Sequence, residues 1–182
     1  MSDFWDYRGW ERREENNNWQ DIQGDNLEYR ADGLMNLAMN NGLEDDSLEK
    51  TIVYLASAND INRQIERLPE LLHGLLALGD CYLKQGKADE VSAVAIEAQK
   101  IALETFNDKA RAYAIHMQGY NSFVTKNYAE AAAFAINAGE IYEEAGSYDE
   151  ACEVYLSAGR LYRWRGERAK SIDAFERALA VA

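Results

Sequence analysis

Two histidines, His73 and His116, and two cysteines, Cys81 and Cys152, are the residues of this 182-residue chain best suited to nucleophilic, acid–base or zinc chemistry. Acid–base work needs a base, a group that orients it and a positioned acceptor. No Gly-x-Ser-x-Gly elbow and no phosphate-cradling glycine loop accompanies the histidines. Cys81 follows His73 by eight residues, near one face of a helix, yet zinc wants four close ligands. No catalytic residue, metal or cofactor is therefore expected, and both histidines read as groove or core residues. The cysteines are too few and too far apart for a disulfide framework, which fits a reducing compartment. The start, Met1-Ser2-Asp3-Phe4-Trp5-Asp6, carries acids where a secretory signal carries bases. No apolar run approaches the roughly 18 residues of a membrane span. A cytoplasmic location without membrane insertion is the expectation.

The elements that would position such residues follow from composition. Thirty-two acidic residues against nineteen basic ones leave a net charge of −13, so phosphate repels the chain and no nucleic-acid partner is expected. Hydrophobic residues make up 47%, enough for a core. One proline and twelve glycines weigh against a β-sandwich or barrel, whose tight turns consume both. Twenty-seven alanines point instead to helices packed at close range.

Those alanines recur with a period of forty. Ala58, Ala98, Ala138 and Ala178 stand forty apart, as do Gly79, Gly119 and Gly159. Leu75, Ile115 and Tyr155 precede each glycine by four, and Tyr82, Ser122 and Tyr162 follow it by three. A helix that approaches its neighbour closely needs a small residue at the crossing with bulky ones a turn away. Breaks at Lys84-Gln85-Gly86-Lys87, Thr125-Lys126-Asn127-Tyr128 and Trp164-Arg165-Gly166-Glu167 offer Gly or Asn for a left-handed helix end. Asn107, Asp108 and Ser147 are candidate caps, and Pro69 suits a first helical turn. The spacing predicts helices over 69–85, 89–104, 109–126, 129–145, 148–165 and 168–182, with an earlier, less regular hairpin over 25–41 and 47–68. In all, about eight helices form four hairpins, 25–68, 69–106, 107–146 and 147–182, after an aromatic-rich segment over 1–24.

From residue 25 onward the repeats resemble tetratricopeptide repeats. Leu78-Gly79-Asp80-Cys81-Tyr82-Leu83-Lys84-Gln85-Gly86-Lys87-Ala88-Asp89-Glu90, continuing to Ala95 and Ala98, follows that pattern, as do Gly159, Tyr162, Gly166, Phe175 and Ala178. The middle unit keeps Gly119, Tyr128, Ala131 and Ala138 but puts Ser122 where Tyr is usual. The forty-residue length is similar to the long repeats of kinesin light chains, spindle-orientation adaptors and bacterial peptide-sensing regulators. A weaker echo at twenty, in Gly139, Tyr142, Gly146, Tyr148 and Ala151, resembles vesicle-fusion adaptors of the soluble attachment protein type. The resemblance implies an all-α, right-handed superhelical solenoid of antiparallel helix pairs with a concave groove for a partner segment.

It also implies the groove residues. The first regular unit supplies His73, Leu76, Asp80, Leu83 and Lys84. The second supplies Tyr113, His116, Tyr120, Phe123 and Val124, and the third Glu153, Leu156, Arg160, Arg163 and Trp164. The carboxylate clamp of some relatives needs Lys and Asn where Leu76, Asp80 and Tyr113 stand, which excludes that specificity. What remains is an aromatic centre flanked by Arg160 and Arg163. It suits a protein or peptide with an apolar or aromatic anchor and an acidic flank. The competing reading packs Tyr113, Phe123 and Trp164 between helices.

Charge is sorted along the last repeat. Residues 139–153 hold six acids and no base, whereas 160–177 hold six bases, Arg160, Arg163, Arg165, Arg168, Lys170 and Arg177, against three acids. Neutralisation between adjacent helices competes here with a partner-steering patch. At the N-terminus Phe4, Trp5, Tyr7, Trp10 and Trp19 form either a cap folded back on the solenoid or a docking motif. At the other end Ile172, Phe175 and Leu179 would lie partly bare, so further repeats or a second subunit are expected to cover them. Three functions follow. The first is a scaffold or adaptor, the second a peptide-sensing regulatory part of a larger protein with its effector beyond Ala182, and the third an enzyme or an enzyme's accessory subunit.

Overall fold

The structure, a computed structural model, describes residues 26–43 and 47–182. Among them are eight α-helices and no strand: α1 Leu27–Asn41, α2 Leu48–Gln64, α3 Leu68–Gln85, α4 Ala88–Glu104, α5 Asp108–Val124, α6 Tyr128–Glu144, α7 Tyr148–Trp164 and α8 Arg168–Val181. From α3 onward every boundary falls within two residues of its expected position. The chain divides into two compact units, one ending at Cys81 and one comprising Tyr82–Ala182, with the boundary inside α3.

The turns explain the helix lengths. Glu66, Gly86, Phe106, Lys126, Gly146 and Gly166 all have positive φ, between 53° and 77°, and stand twenty residues apart. After each of them the next backbone N–H reaches back five residues, from Lys87 to the Tyr82 carbonyl at 3.0 Å and from Asn127 to that of Ser122 at 2.7 Å, for example. The left-handed residue's own N–H bonds the carbonyl three residues back, as Gly86 does to Leu83 at 3.1 Å. These paired bonds are the Schellman closure, which satisfies carbonyls that a helix end would otherwise leave bare. The backbone unit is therefore twenty residues, half the period that the side chains display most clearly. Two details differ from expectation. Lys126, not Asn127, takes the left-handed conformation, because the closure counts from the helix end and not from residue preference. Asn107 caps α5 by accepting from the Ala110 N–H at 3.0 Å, but Ser147 makes no such bond to α7.

In the first unit Asn26 caps α1, accepting from the Glu28 and Tyr29 N–H groups. The Thr51 hydroxyl donates to the Gly42 carbonyl at 2.9 Å and ties α2 to the end of α1. Arg67 donates to Asp32 and Glu70, both at 2.9 Å, linking α1 to the start of α3. Leu55 of α2 and Leu71, Leu72, Leu75 and Leu76 of α3 are buried, and Gly74 lies directly under the Asn59 carboxamide.

The second unit is held by glycines that receive rings. A methyl group at Gly139 would overlap the ring of Tyr155, and one at Gly159 the ring of Phe175. Gly119 instead lies against the Cβ of Phe134 and the α6 backbone at Ala131 and Ala135. α6 and α7 thus each seat an aromatic ring of the next helix, and Ala135, Ala138, Ala158, Ala174 and Ala178 are buried as well. The Ser171 hydroxyl donates to the Gly159 carbonyl at 2.9 Å, and the Tyr155 hydroxyl to Glu143 at 3.0 Å. Removal from solvent and then the Glu143 carboxylate push the Tyr155 phenol up to about 12, so it stays neutral and donating at ordinary pH.

Gly139→Ala should lose about 1 to 3 kcal/mol, because the inserted methyl overpacks a closed contact. Lys126→Gly should gain up to about 1 kcal/mol by relieving a left-handed non-glycine residue, offset in part by the freer unfolded chain. Urea midpoints at unchanged slope check both.

Candidate partner-binding surface

The end of α5, the start of α6 and the end of α7 meet at one end of the second unit. The α5–α6 turn folds Tyr128, the first residue of α6, back beside Phe123, with ring centroids 5.7 Å apart and planes at 60°. Tyr120, one turn earlier on α5, lies 6.3 Å from Phe123. Trp164, the last residue of α7, lies 4.4 Å from Tyr128 at 66°. Edge-on and tilted contacts of this kind are the favourable ones for aromatic quadrupoles. The result is an unbroken chain of four rings, and it is open: Trp164 is 65% exposed and Phe123 44%. Val124 adjoins it, also exposed.

Beneath the chain the Glu130 carboxylate holds the turn. It accepts from the Ser122 hydroxyl at 3.0 Å and from Asn127 Nδ2 at 2.7 Å. Asn121 Nδ2 donates to the Ala88 carbonyl and to the Ser92 hydroxyl on α4, so α5 is fixed against α4 as well.

Electrostatics distinguish the arginines around Trp164. Arg165 and Lys170 both bind Glu167, whose carboxyl is lowered chiefly by its hydrogen bond with Lys170. Arg177 reaches Glu140 at 2.7 Å and Asp173 at 3.2 Å, and Lys109 pairs with Glu150. Neutralisation therefore accounts for much of the sorted charge. Arg160, Arg163 and Arg168 are exposed and, among the described residues, have no carboxylate within ion-pair distance. Arg160 stands one helical turn before Trp164, on the same face.

Of the residues expected in the groove, Tyr120, Phe123, Arg160, Arg163 and Trp164 thus share one end of this unit. Tyr113 and His116 do not join them: Tyr113 packs partly buried against Ala112, Ile115 and Tyr142, and Leu156 against the same cluster. His116 is partly buried too, and desolvation lowers its pKa. Leu76 is fully buried and is core, a correction to its place in the groove. His73 and Asp80 are half-buried residues of the first unit, and Lys84 is exposed in the second, each already engaged by a neighbour. At the C-terminal helix Ile172 is exposed and Leu179 more so, but Phe175 turns inward over Gly159 and leaves that surface. Phe4, Trp5, Tyr7, Trp10 and Trp19 lie outside the described residues. Tyr128, the ring that joins Phe123 to Trp164, escaped the sequence reading. Its signal is positional: it sits two residues past the left-handed Lys126.

Among the described residues no group of three His, Cys, Asp or Glu side chains could hold a metal ion, and no helix is long and apolar enough to cross a membrane.

Successive short-turned helices with small residues at the crossings define a TPR-like helical-repeat protein. More particularly, the sequence model described as SNAP, soluble NSF attachment protein, matches residues 73–181, more than half of the chain, and the chain belongs to that family. Two solved structures share the fold. A Rap protein complexed with Competence and Sporulation Factor matches at TM-score 0.73 and 17% identity over 90% of this chain and 46% of its own. Aspartyl phosphate phosphatase F from Bacillus subtilis matches at TM-score 0.79 and 13% identity over 90% and 43%. The chain spans less than half the length of either structure. No curated protein matches it in sequence.

His116 supplies a pH test of its surroundings. Its folded pKa lies below the unfolded value of about 6.5, so its contribution is intact above that value and is lost as pH falls through and below it. Stability measured from pH 8 to 5 should decline on the acid side, and His116→Gln should flatten that decline.

Proposed function

We propose that this chain is a non-enzymatic attachment module that holds a segment of a partner protein on the ring chain of its second unit. The observation that carries this reading is the open chain Tyr120, Phe123, Tyr128 and Trp164 beside Arg160 and Arg163, which lack acidic partners among the described residues. Aromatics give large contact area at low entropy cost, and arginine grips a carboxylate through two parallel bonds. The segment that fits has an apolar or aromatic anchor with Asp or Glu beside it. The family description names a protein of attachment, and one structural neighbour was solved with a bound factor, and both support a protein or peptide ligand. Ile172 and Leu179 provide a separate exposed site on α8 for a second copy of the chain. Cys81 and Cys152, neither in a disulfide, fit a reducing, cytoplasmic setting.

A second reading makes the chain the ligand-receiving part of a longer regulatory protein. It is favoured by the coverage of the two structural neighbours, of which this chain spans less than half.

The test is affinity capture from the native cell, followed by mapping of the bound segment and titration with that segment. Trp164→Ala and Arg160→Glu should each weaken binding by about tenfold or more with unchanged melting temperature, and added salt should weaken it further. Binding indifferent to both substitutions would sink the proposed surface.

A further inference from the structure

The buried face of α4 consists of Val91, Val94, Ala95, Ala98, Ile101 and Ala102. A helix with that inward face ordinarily turns charge to solvent. α4 departs from this. Along its outer side Asp89, Ala93, Ile96, Lys100 and Leu103 follow one another at steps of four, three, four and three, and all are exposed. Ile96 is 61% exposed and Leu103 54%, and Phe106, in the turn that follows, is 92% exposed. Steps of three and four are the seam spacing of paired helices.

The repeat itself shows that these apolar residues are not required by the fold. Forty residues on, the place of Leu103 is held by Glu143, and forty earlier by Arg63. Ile136, one unit on from Ile96, packs partly buried against the core, but two units on Glu176 holds that place, and Gly146 and Glu66 occupy that of Phe106. All three positions tolerate charge or glycine elsewhere in the chain. Phe106 in addition holds a left-handed φ of 53°, which disfavours a bulky residue, while presenting its ring to solvent.

Charge beside the seam indicates what covers it. Glu90, Glu97 and Glu104 stand seven residues apart along one flank, the row from which paired helices select the charge of their partners. Lys100, the polar residue between the two large apolar ones of the seam, lies 3.9 Å from Glu104, and with Asp89 at the start of the seam would fix the register of an incoming helix. We propose that the outer side of α4 is a docking strip for an amphipathic helix of another protein, one with an apolar three–four seam flanked by Lys or Arg. The strip is about 25 Å long at helical rise. It lies on a different helix from the ring chain and takes the opposite charge, so it does not depend on that reading.

Two synthetic helical peptides of about three heptads each, with identical Leu seams flanked by Lys in one and Glu in the other, serve as probes. Fluorescence anisotropy with the full chain should show saturable binding of the Lys-flanked peptide, weakened about tenfold or more by Leu103→Glu or Ile96→Glu and by raised salt. The Glu-flanked peptide should not saturate, and Trp164→Ala should change nothing. Both glutamates already occur at equivalent places in this protein, so the variants should keep the helical circular dichroism and melting point. No binding of the Lys-flanked peptide, equal binding of both peptides, or binding unmoved by Leu103→Glu overturns the proposal. So does a dimer of the parent chain that Leu103→Glu breaks, since that assigns the strip to a second copy.

Discussion

A left-handed residue at every twentieth position is the constraint on which the remainder of this structure depends. Each closes a helix with the same two backbone bonds, so α4 to α7 all have seventeen residues and every turn restarts the chain at the same phase. Equal length and phase make the crossings recur: the residue sixteen beyond Gly139 is Tyr155, and the residue sixteen beyond Gly159 is Phe175. A glycine hole on one helix meets a ring from the next because the turn between them never changes length. The backbone can meet this demand with Gly86, Gly146 and Gly166 at no steric cost, or with Glu66, Phe106 and Lys126 at a cost of roughly 1 to 2 kcal/mol each.

That latitude explains which features the sequence discloses. Alanine and glycine at crossings have no substitutes of similar size, so Ala98, Ala138 and Ala178 expose the architecture directly, and the helices from Leu68 onward follow. Turn residues are less constrained, and charged or aromatic occupants hide half of the twenty-residue period. The longer forty-residue pattern is what remains visible. The same logic divides the candidate site. Tyr120, Phe123 and Trp164 fall near helix ends, where no neighbour covers them, and residue type is a fair guide there. Tyr113 and His116 lie in mid-helix, where the adjoining helix packs onto them. Phe175 turns inward only because residue 159 is glycine, a relation across helices that spacing along one helix does not contain.

Charge follows a related division. The total of −13 is dominated by acids, many of which face bases across helices: Glu140 meets Arg177, and Glu150 meets Lys109. Exposed pairs contribute little to stability, and their effect here is local. They neutralise charge away from the rings and leave Arg160, Arg163 and Arg168 as cations at the end that carries them. An acidic protein can thereby present a basic, aromatic surface, and the sign of its whole charge is a poor guide to the sign of its ligand.

Small residues at every crossing have a further consequence for where large ones go. Helices that meet through Ala and Gly approach closely and leave few interior places for bulk, which Tyr155, Ile141 and Val154 already occupy in the second unit. Additional large apolar residues are then forced to helix ends and outer faces, where water penalises them unless something covers them. Trp164 and Phe123 stand at such an end, and Ile96, Leu103 and Phe106 along such a face. At each of these places at least one other repeat carries a charged residue, Arg163 for Phe123, Lys84 for Trp164, Glu176 for Ile96, Glu143 for Leu103 and Glu66 for Phe106. Their retention at those places is therefore a property of surfaces, not of the fold, and the two surfaces differ in flanking charge. A repeat whose framework is fixed by turns and alanines is free to vary at just these positions, which is how one scaffold can display two dissimilar faces within a single unit.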